Sequence, residues 1–212
     1  MPAFPRHLAL LLVLPLAACS SGGGGGGSDG SDTIPGSFSG RADLYNANLN
    51  QIGWTDVDPD PNYTDPSTLP QTGSAAFQGV MYVEDITEGR DLLGRAQLDV
   101  SFSGNDISGS ATDFRDTAGV LHDGTLILDG ADTIDRSADV ESTYTYGLEV
   151  DGSLVYPDTG TQVFDGQLWG DFYRGDAEYI YADSQDGFLQ ICDAATDLCR
   201  DEFAGVVARD TD

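Results

Sequence analysis

"VFDGQLWGDFY", residues 163–173, decides the fold. Phe164, Gly166, Leu168, Gly170 and Phe172 occupy every second position, with Asp165, Gln167 and Asp171 between them. Side chains that alternate with period two belong to a half-buried antiparallel strand, apolar face inward and polar face outward. Gly166 and Gly170 suit the sharp coiling of a small closed barrel.

The same period runs through the neighbouring segments. "RAQLDVSF" (95–102) sets Ala96, Leu98, Val100 and Phe102 against Gln97, Asp99 and Ser101, and "STYTYGLEV" (142–150) sets Tyr144, Tyr146, Leu148 and Val150 against Thr143, Thr145 and Glu149. Gly104-Asn105, Asp123-Gly124, Asp151-Gly152, Gly175-Asp176 and Asp186-Gly187 are pairs favoured in tight hairpin turns. The expectation is an all-β chain of eight strands, at 73–83, 94–102, 106–114, 124–130, 142–150, 161–174, 177–183 and 201–208, with no long helix. An antiparallel barrel is favoured over a sandwich because closure removes exposed edges.

Upstream of the strands the chain changes character. Arg6 precedes an apolar run from Leu8 to Leu16, then Ala17, Ala18 and Cys19, the pattern of a secretory signal. From Leu8 to Cys19 a helix would reach about 18 Å, too short for a hydrocarbon core of roughly 30 Å. Leu16-Ala17-Ala18-Cys19 resembles the lipobox of bacterial lipoproteins, which implies lipid on Cys19 as the first mature residue. Ser20 and Ser21 after it resemble an outer-membrane sorting signal. Residues 20–33 are Ser, Gly, Asp and one Thr, a flexible coil with nothing to bury. The expected organisation is a signal peptide at 1–18, an anchor and Gly/Ser-rich tether at 19–36, an extended, loop-rich segment at 37–72 and the barrel at 73–212. An integral outer-membrane barrel would carry its apolar face outward. A lipidated cysteine would be redundant there, and 27 glycines among short polar strands suit a soluble barrel.

The chain carries 36 Asp and Glu against nine basic residues, all of them arginine, a net charge of −27. Such a surface repels nucleic acid and anionic headgroups, so neither is an expected partner. Solubility in salty surroundings accounts for the acidity; a cationic ligand or partner is the alternative. With Cys19 lipidated, Cys192 and Cys199 remain as an even pair in an exported chain, so a disulfide is expected. Zinc spacing of Cys and His is absent from the sequence, and no metal or cofactor is expected.

"DVDPDPNYTD" (56–65) offers Asp56, Asp58, Asp60 and Asn62 to calcium, but an EF-hand loop needs Gly and Glu where Pro61 and Ser67 stand. No catalytic constellation stands out. His122 in "LHDG" reads as a turn residue, no G-x-S-x-G elbow occurs, and nothing singles out two acids as a catalytic pair.

"DGQLWGDFYRGDAEYIYA" (165–182) resembles the G-x-F-Y-G-x-x-A-x-E pattern of barrel domains in the transferrin-binding protein B family of surface lipoproteins, through Gly170, Phe172, Tyr173, Gly175, Ala177 and Glu178. FYRGDAE replaces the family's common FYGPNAE, so the glycine is displaced by one and the proline is missing. "TGSAAFQGV" (72–80), "GRAQLDVSFSGNDISGSATDF" (94–114) and "DEFAGVVARD" (201–210) resemble the opening strand, the next hairpin and the closing strand. The lipobox and poly-Gly tether are also similar to the wider group that includes the factor H-binding protein type. Family members bind host iron-carrying proteins through loops of a larger, two-lobed chain; this chain has room for one barrel, so transferrin binding does not carry over. The resemblance implies a single monomeric, non-catalytic barrel, lipid-anchored at the cell outer membrane and surface-exposed, binding an external protein or solute through its loops. A structural or periplasm-facing envelope lipoprotein is the alternative. The expected ligand contacts are Tyr45, Trp54 and Tyr63 of the long N-terminal loop, with Trp169 and Tyr173 of the motif strand.

Overall fold

A computed structural model describes residues 33–54, 61–85, 88–130, 133–140, 143–185 and 189–211. Helix α1 (Phe38–Gln51) and a short 3-10 turn (Pro66–Thr68) precede nine strands: β1 (Ser74–Asp85), β2 (Arg90–Ser101), β3 (Asp106–Asp116), β4 (Leu121–Gly130), β5 (Tyr146–Tyr156), β6 (Gly160–Tyr173), β7 (Tyr179–Asp183), β8 (Leu189–Asp193) and β9 (Cys199–Asp210). All neighbours are antiparallel, and β9 returns to pair with β1, closing an eight-stranded barrel.

Nine strands fill eight positions because one position is split. The long β6 pairs with β8 through Gln162–Gly166 and with β7 through Trp169–Tyr173. On the other side β9 pairs with β8 through Cys199–Glu202 and with β7 through Gly205–Arg209. The sequence expectation of eight barrel positions holds, and β8 is the strand it lacks. Five residues, two of them in the cysteine segment, leave too little alternation to read.

The period-two faces are where the pattern places them in β2 and β6 and from Tyr146 onward in β5, but not before it. Thr145, expected outward, is fully buried, and Tyr144, expected inward, lies half-buried beside Trp169. Phe164, Leu168 and Phe172 of β6 join Phe77, Met81, Leu98, Phe114, Leu126, Tyr146 and Ile180 in one interior core. Each such side chain contributes about 1.5–3 kcal/mol by leaving water.

Two turn readings are corrected. Asp123-Gly124 lies inside β4 and Asp151-Gly152 inside β5. Gly124 (φ 144°) and Gly152 (φ 149°) face the neighbouring strand so closely that a Cβ would sit 2.1 Å from the Ser153 carbonyl oxygen and 2.2 Å from that of Thr125, respectively. Glycine there serves close strand approach, not chain reversal. Gly104-Asn105 and Gly175-Asp176 do fall in turns, with positive φ at Asn105 and Gly175; Asp186-Gly187 lies outside the described residues.

The reading of 37–72 as loop-rich is also corrected, because 38–51 is helical. Ser37 caps it, accepting from the Gly40 N–H at 3.2 Å. FSGRADLYNANLNQ, with a glycine and three asparagines, is a poor helix former, so its stability comes from packing. Arg41 is fully buried against the wall: its Nε donates to the Pro35 carbonyl at 2.8 Å, its Nη1 to the Leu93 carbonyl at 2.8 Å, and its guanidinium pairs with Asp113. Asp113 sits at the β3 register shift with φ 53°, where Arg95 and Arg115 also reach it.

After α1 the arm crosses the wall and is stitched to the end of β6. The Thr64 N–H donates to the Phe172 carbonyl at 2.9 Å and the Arg174 N–H to the Asn62 carbonyl at 2.9 Å, flanking the bridge Tyr63–Tyr173. Arg136 secures the far end by donating to the carbonyls of Leu69, Pro70 and Phe102 at 2.7–2.9 Å.

Candidate functional site

The residues expected to touch a ligand are sorted by the fold into two groups. Ile52, Tyr173, Tyr179 and Val207, with Tyr45, Leu49, Trp54, Tyr63 and Tyr181 around them, form a second apolar cluster between the arm and the outer wall. Tyr63 stacks at 5.1 Å on Tyr173, Trp54 lies 5.9 Å from Tyr181, and Tyr45 lies 5.9 Å from Tyr82. The Trp54 indole N–H donates to the Tyr173 hydroxyl at 3.2 Å. Tyr173 is 1 % exposed, so the arm covers it. This seam holds the arm down, and burial pushes the phenols of Tyr45, Tyr173 and Tyr181 above their ordinary value.

Trp169 stands apart from the seam, half-buried on the outward face of β6. In the register it lies between Gly147 of β5 and Asp183 of β7. Its ring covers Gly147, where a Cβ would come within 2.9 Å of the indole, so the missing side chain makes its seat. Tyr144 lies beside it with ring centroids 6.4 Å apart. Two residues along β6, Asp171 faces the same way and is 3 % exposed. Its Oδ1 accepts both the Thr145 N–H at 2.9 Å and the Thr145 hydroxyl at 2.7 Å. Asp183 accepts from the Tyr181 hydroxyl at 2.9 Å and from the Gln185 N–H at 3.2 Å, and Gln185 reaches on to the Tyr144 hydroxyl.

The electrostatics follow from the carboxylates. Burial, opposed by the two Thr145 bonds, raises Asp171, and Asp183 adds to the rise. Tyr144 is pushed up to about 12 by burial, then by Asp183 and Asp171, and Tyr63 is raised by burial and the same two acids. Trp169, Tyr144, Tyr63, Asp171 and Asp183 thus surround one patch of outer wall. The sequence reading includes Trp169 and Tyr63 but misses the others. Period two already places Asp171 on the outward face of Trp169; Asp183 arrives only through cross-strand register, and Tyr144 through the irregular stretch just ahead of β5.

Cys192 and Cys199 form the expected disulfide across the β8–β9 pair. Cys19 lies outside the described residues, as do Asp56, Asp58 and Asp60 of the calcium reading. Among the described residues no group of three His, Cys, Asp or Glu side chains could hold a metal ion.

His122 is not in a turn. It lies in β4, fully buried, edge-on to Tyr156 at 4.6 Å, with Nε2 3.3 Å from an Asp116 oxygen. Alternation through β4 dictates this, since His122 is in phase with the interior Leu126 and Leu128. It belongs to a polar plug at the hairpin end of the barrel, which also holds Tyr156, Asp85, Arg200 and Gln162.

No protein-family model matches the chain, and no curated protein matches it. No described helix is long and apolar enough to cross a membrane.

Proposed function

We propose that this chain is a lipid-anchored, non-catalytic envelope protein that holds its barrel off the outer membrane and recognises an external protein or solute through its outer wall and loops. The carrying observation is the order of the first segments: an apolar run, Leu16-Ala17-Ala18-Cys19, then a Gly/Ser-rich tether leading to a folded barrel. Several acyl chains on one cysteine, at about 0.8 kcal/mol per buried methylene, anchor a protein almost permanently. The interior is occupied by the packed core, which leaves recognition to the outside. Loops held by a rigid scaffold are where binding residues collect. Kinship with single barrels of the transferrin-binding protein B type is part of this reading, supported by the motif of residues 170–178 and by the barrel itself.

Metabolic labelling with a radioactive fatty acid tests the anchor: the parent chain should be labelled and C19S should not. Protease shaving of intact cells tests the orientation. Loss of the barrel without lysis supports surface display; full protection until the outer membrane is opened overturns it in favour of a periplasm-facing lipoprotein.

A further inference from the structure

Buried charge in a folded protein is ordinarily paired or fully hydrogen-bonded, because an uncompensated ion loses its hydration. Asp171 meets this on one oxygen only. It is 3 % exposed, and both of its hydrogen bonds fall on Oδ1. Among the described residues Oδ2 accepts no hydrogen bond and pairs with no arginine, and it is not one of the fully buried unpartnered atoms, so this oxygen reaches the surface. The described arginines are held elsewhere: Arg41, Arg95 and Arg115 at Asp113, Arg90 at Asp158, Arg200 at Asp85, Arg174 and Arg209 at Glu178, and Arg136 on backbone carbonyls. The chain supplies no lysine. Oδ2 is therefore open to the surface, and any cation that pairs with this carboxylate comes from outside the chain.

The surroundings say what kind of cation. Trp169, seated over Gly147, and Tyr144 at 6.4 Å present aromatic rings beside Asp171, with Asp183 directly across from Trp169. Aromatic faces attract organic cations through the ring quadrupole, Trp most strongly, and rings next to carboxylates hold a guanidinium or ammonium head through both terms. Hydrated metal ions gain little from indole, and the site lacks a third acidic ligand. Net charge −27 concentrates cations near the wall as well.

We propose that Trp169, Tyr144, Asp171 and Asp183 form a niche on the outer barrel wall that binds the guanidinium or ammonium head of an organic cation. The head comes either from a basic side chain of a protein ligand or from a small free cation. The niche deepens the recognition role proposed above and rests on it only for its biological use. Cation binding is measured on the purified mature chain and membrane display on cells, so the two readings fail separately.

The test follows the indole N–H signals in ¹⁵N NMR spectra. The chain has two tryptophans, so two signals are expected, and W54F assigns them. The probes are acetyl-arginine amide and a short arginine-containing peptide, titrated at constant ionic strength. The Trp169 signal should shift and saturate while that of Trp54 stays in place. D171N, which retains an oxygen acceptor for Thr145, should weaken binding at least tenfold; D201N, a wall acid elsewhere, should leave it unchanged. A peptide at least tenfold tighter than the amide assigns the niche to a protein ligand, and equal affinities assign it to a small cation. A shift that grows linearly without saturating, or D171N binding like the parent, overturns the niche.

Discussion

Asp85 and Arg200 meet at 2.7 Å inside the hairpin end of the barrel, the carboxylate fully buried and the guanidinium nearly so. The carboxylate also accepts from the Tyr156 hydroxyl at 3.1 Å and the Glu88 N–H at 3.1 Å, and Arg200 donates onward to Gln162 at 3.0 Å. Removing one partner leaves the other charge buried and unpaired, which costs about 3–5 kcal/mol. R200M should lower the unfolding free energy by that amount in urea titrations. Arg200 also lies 3.5 Å from the buried Glu202. Replacing Asp85 and Arg200 together by apolar residues should still cost less than R200M alone, which takes the guanidinium from both acids, and a larger loss would overturn this account of the plug.

Arg41 is the one charged side chain of α1 that is fully buried, and it ties the arm to the β3 bulge at Asp113. R41A should release the arm while the barrel, whose first strand begins at Ser74, remains closed. Limited proteolysis is expected to cut within 38–64 at least tenfold faster than in the parent, with far-ultraviolet strand signal preserved.

Reduction of Cys192–Cys199, or the double serine variant, should destabilise the fold by about 2–3 kcal/mol on the loop-closure estimate for so short a loop. The loss should appear in the urea midpoint with the slope unchanged, because β8 remains paired on both sides.

The raised phenols predict alkaline instability with a definite sign. Tyr144 moves up to about 12, and Tyr45, Tyr82, Tyr146, Tyr156, Tyr173 and Tyr181 are all displaced upward, with burial the largest cause for each. In the unfolded chain they ionise near 10. A folded value above the unfolded one makes their contribution complete below pH 10, and it is lost as pH rises through the folded values. Unfolding free energy should fall steadily from about pH 10 upward, and the phenolate absorbance of these seven tyrosines should appear with unfolding rather than before it. Native-state phenolate absorbance from most of the tyrosines would contradict the burial of the seam.

How much of this was readable beforehand depends on which force shaped each element. The barrel strands carry their own evidence, because a closed wall around an apolar core imposes alternation, as in Phe164, Leu168 and Phe172. Helix α1 carries almost none. Its sequence is a poor helix former, and the contacts that hold it, Arg41 to Asp113 and Tyr45 to Tyr82, span 72 and 37 residues. The glycines of β4 and β5 mislead for a related reason: Asp-Gly is a turn signal locally, but whether a neighbouring backbone needs the space is decided across the sheet. In the niche, Trp169 and Asp171 share a face by period, whereas Asp183 joins them only once the register is set and Tyr144 only through the path of the chain into β5.

The arm gives the molecule a defined load path. Any pull arriving from the N-terminal side reaches the barrel through α1 and the aromatic seam before it reaches Ser74. Those contacts lie on the outside of the wall, whereas the barrel is closed by the β1–β9 ladder from Phe77–Asp210 to Glu84–Phe203. Under tension the arm therefore peels first and lengthens the chain ahead of Ser74, and the closed wall behind it keeps its shape.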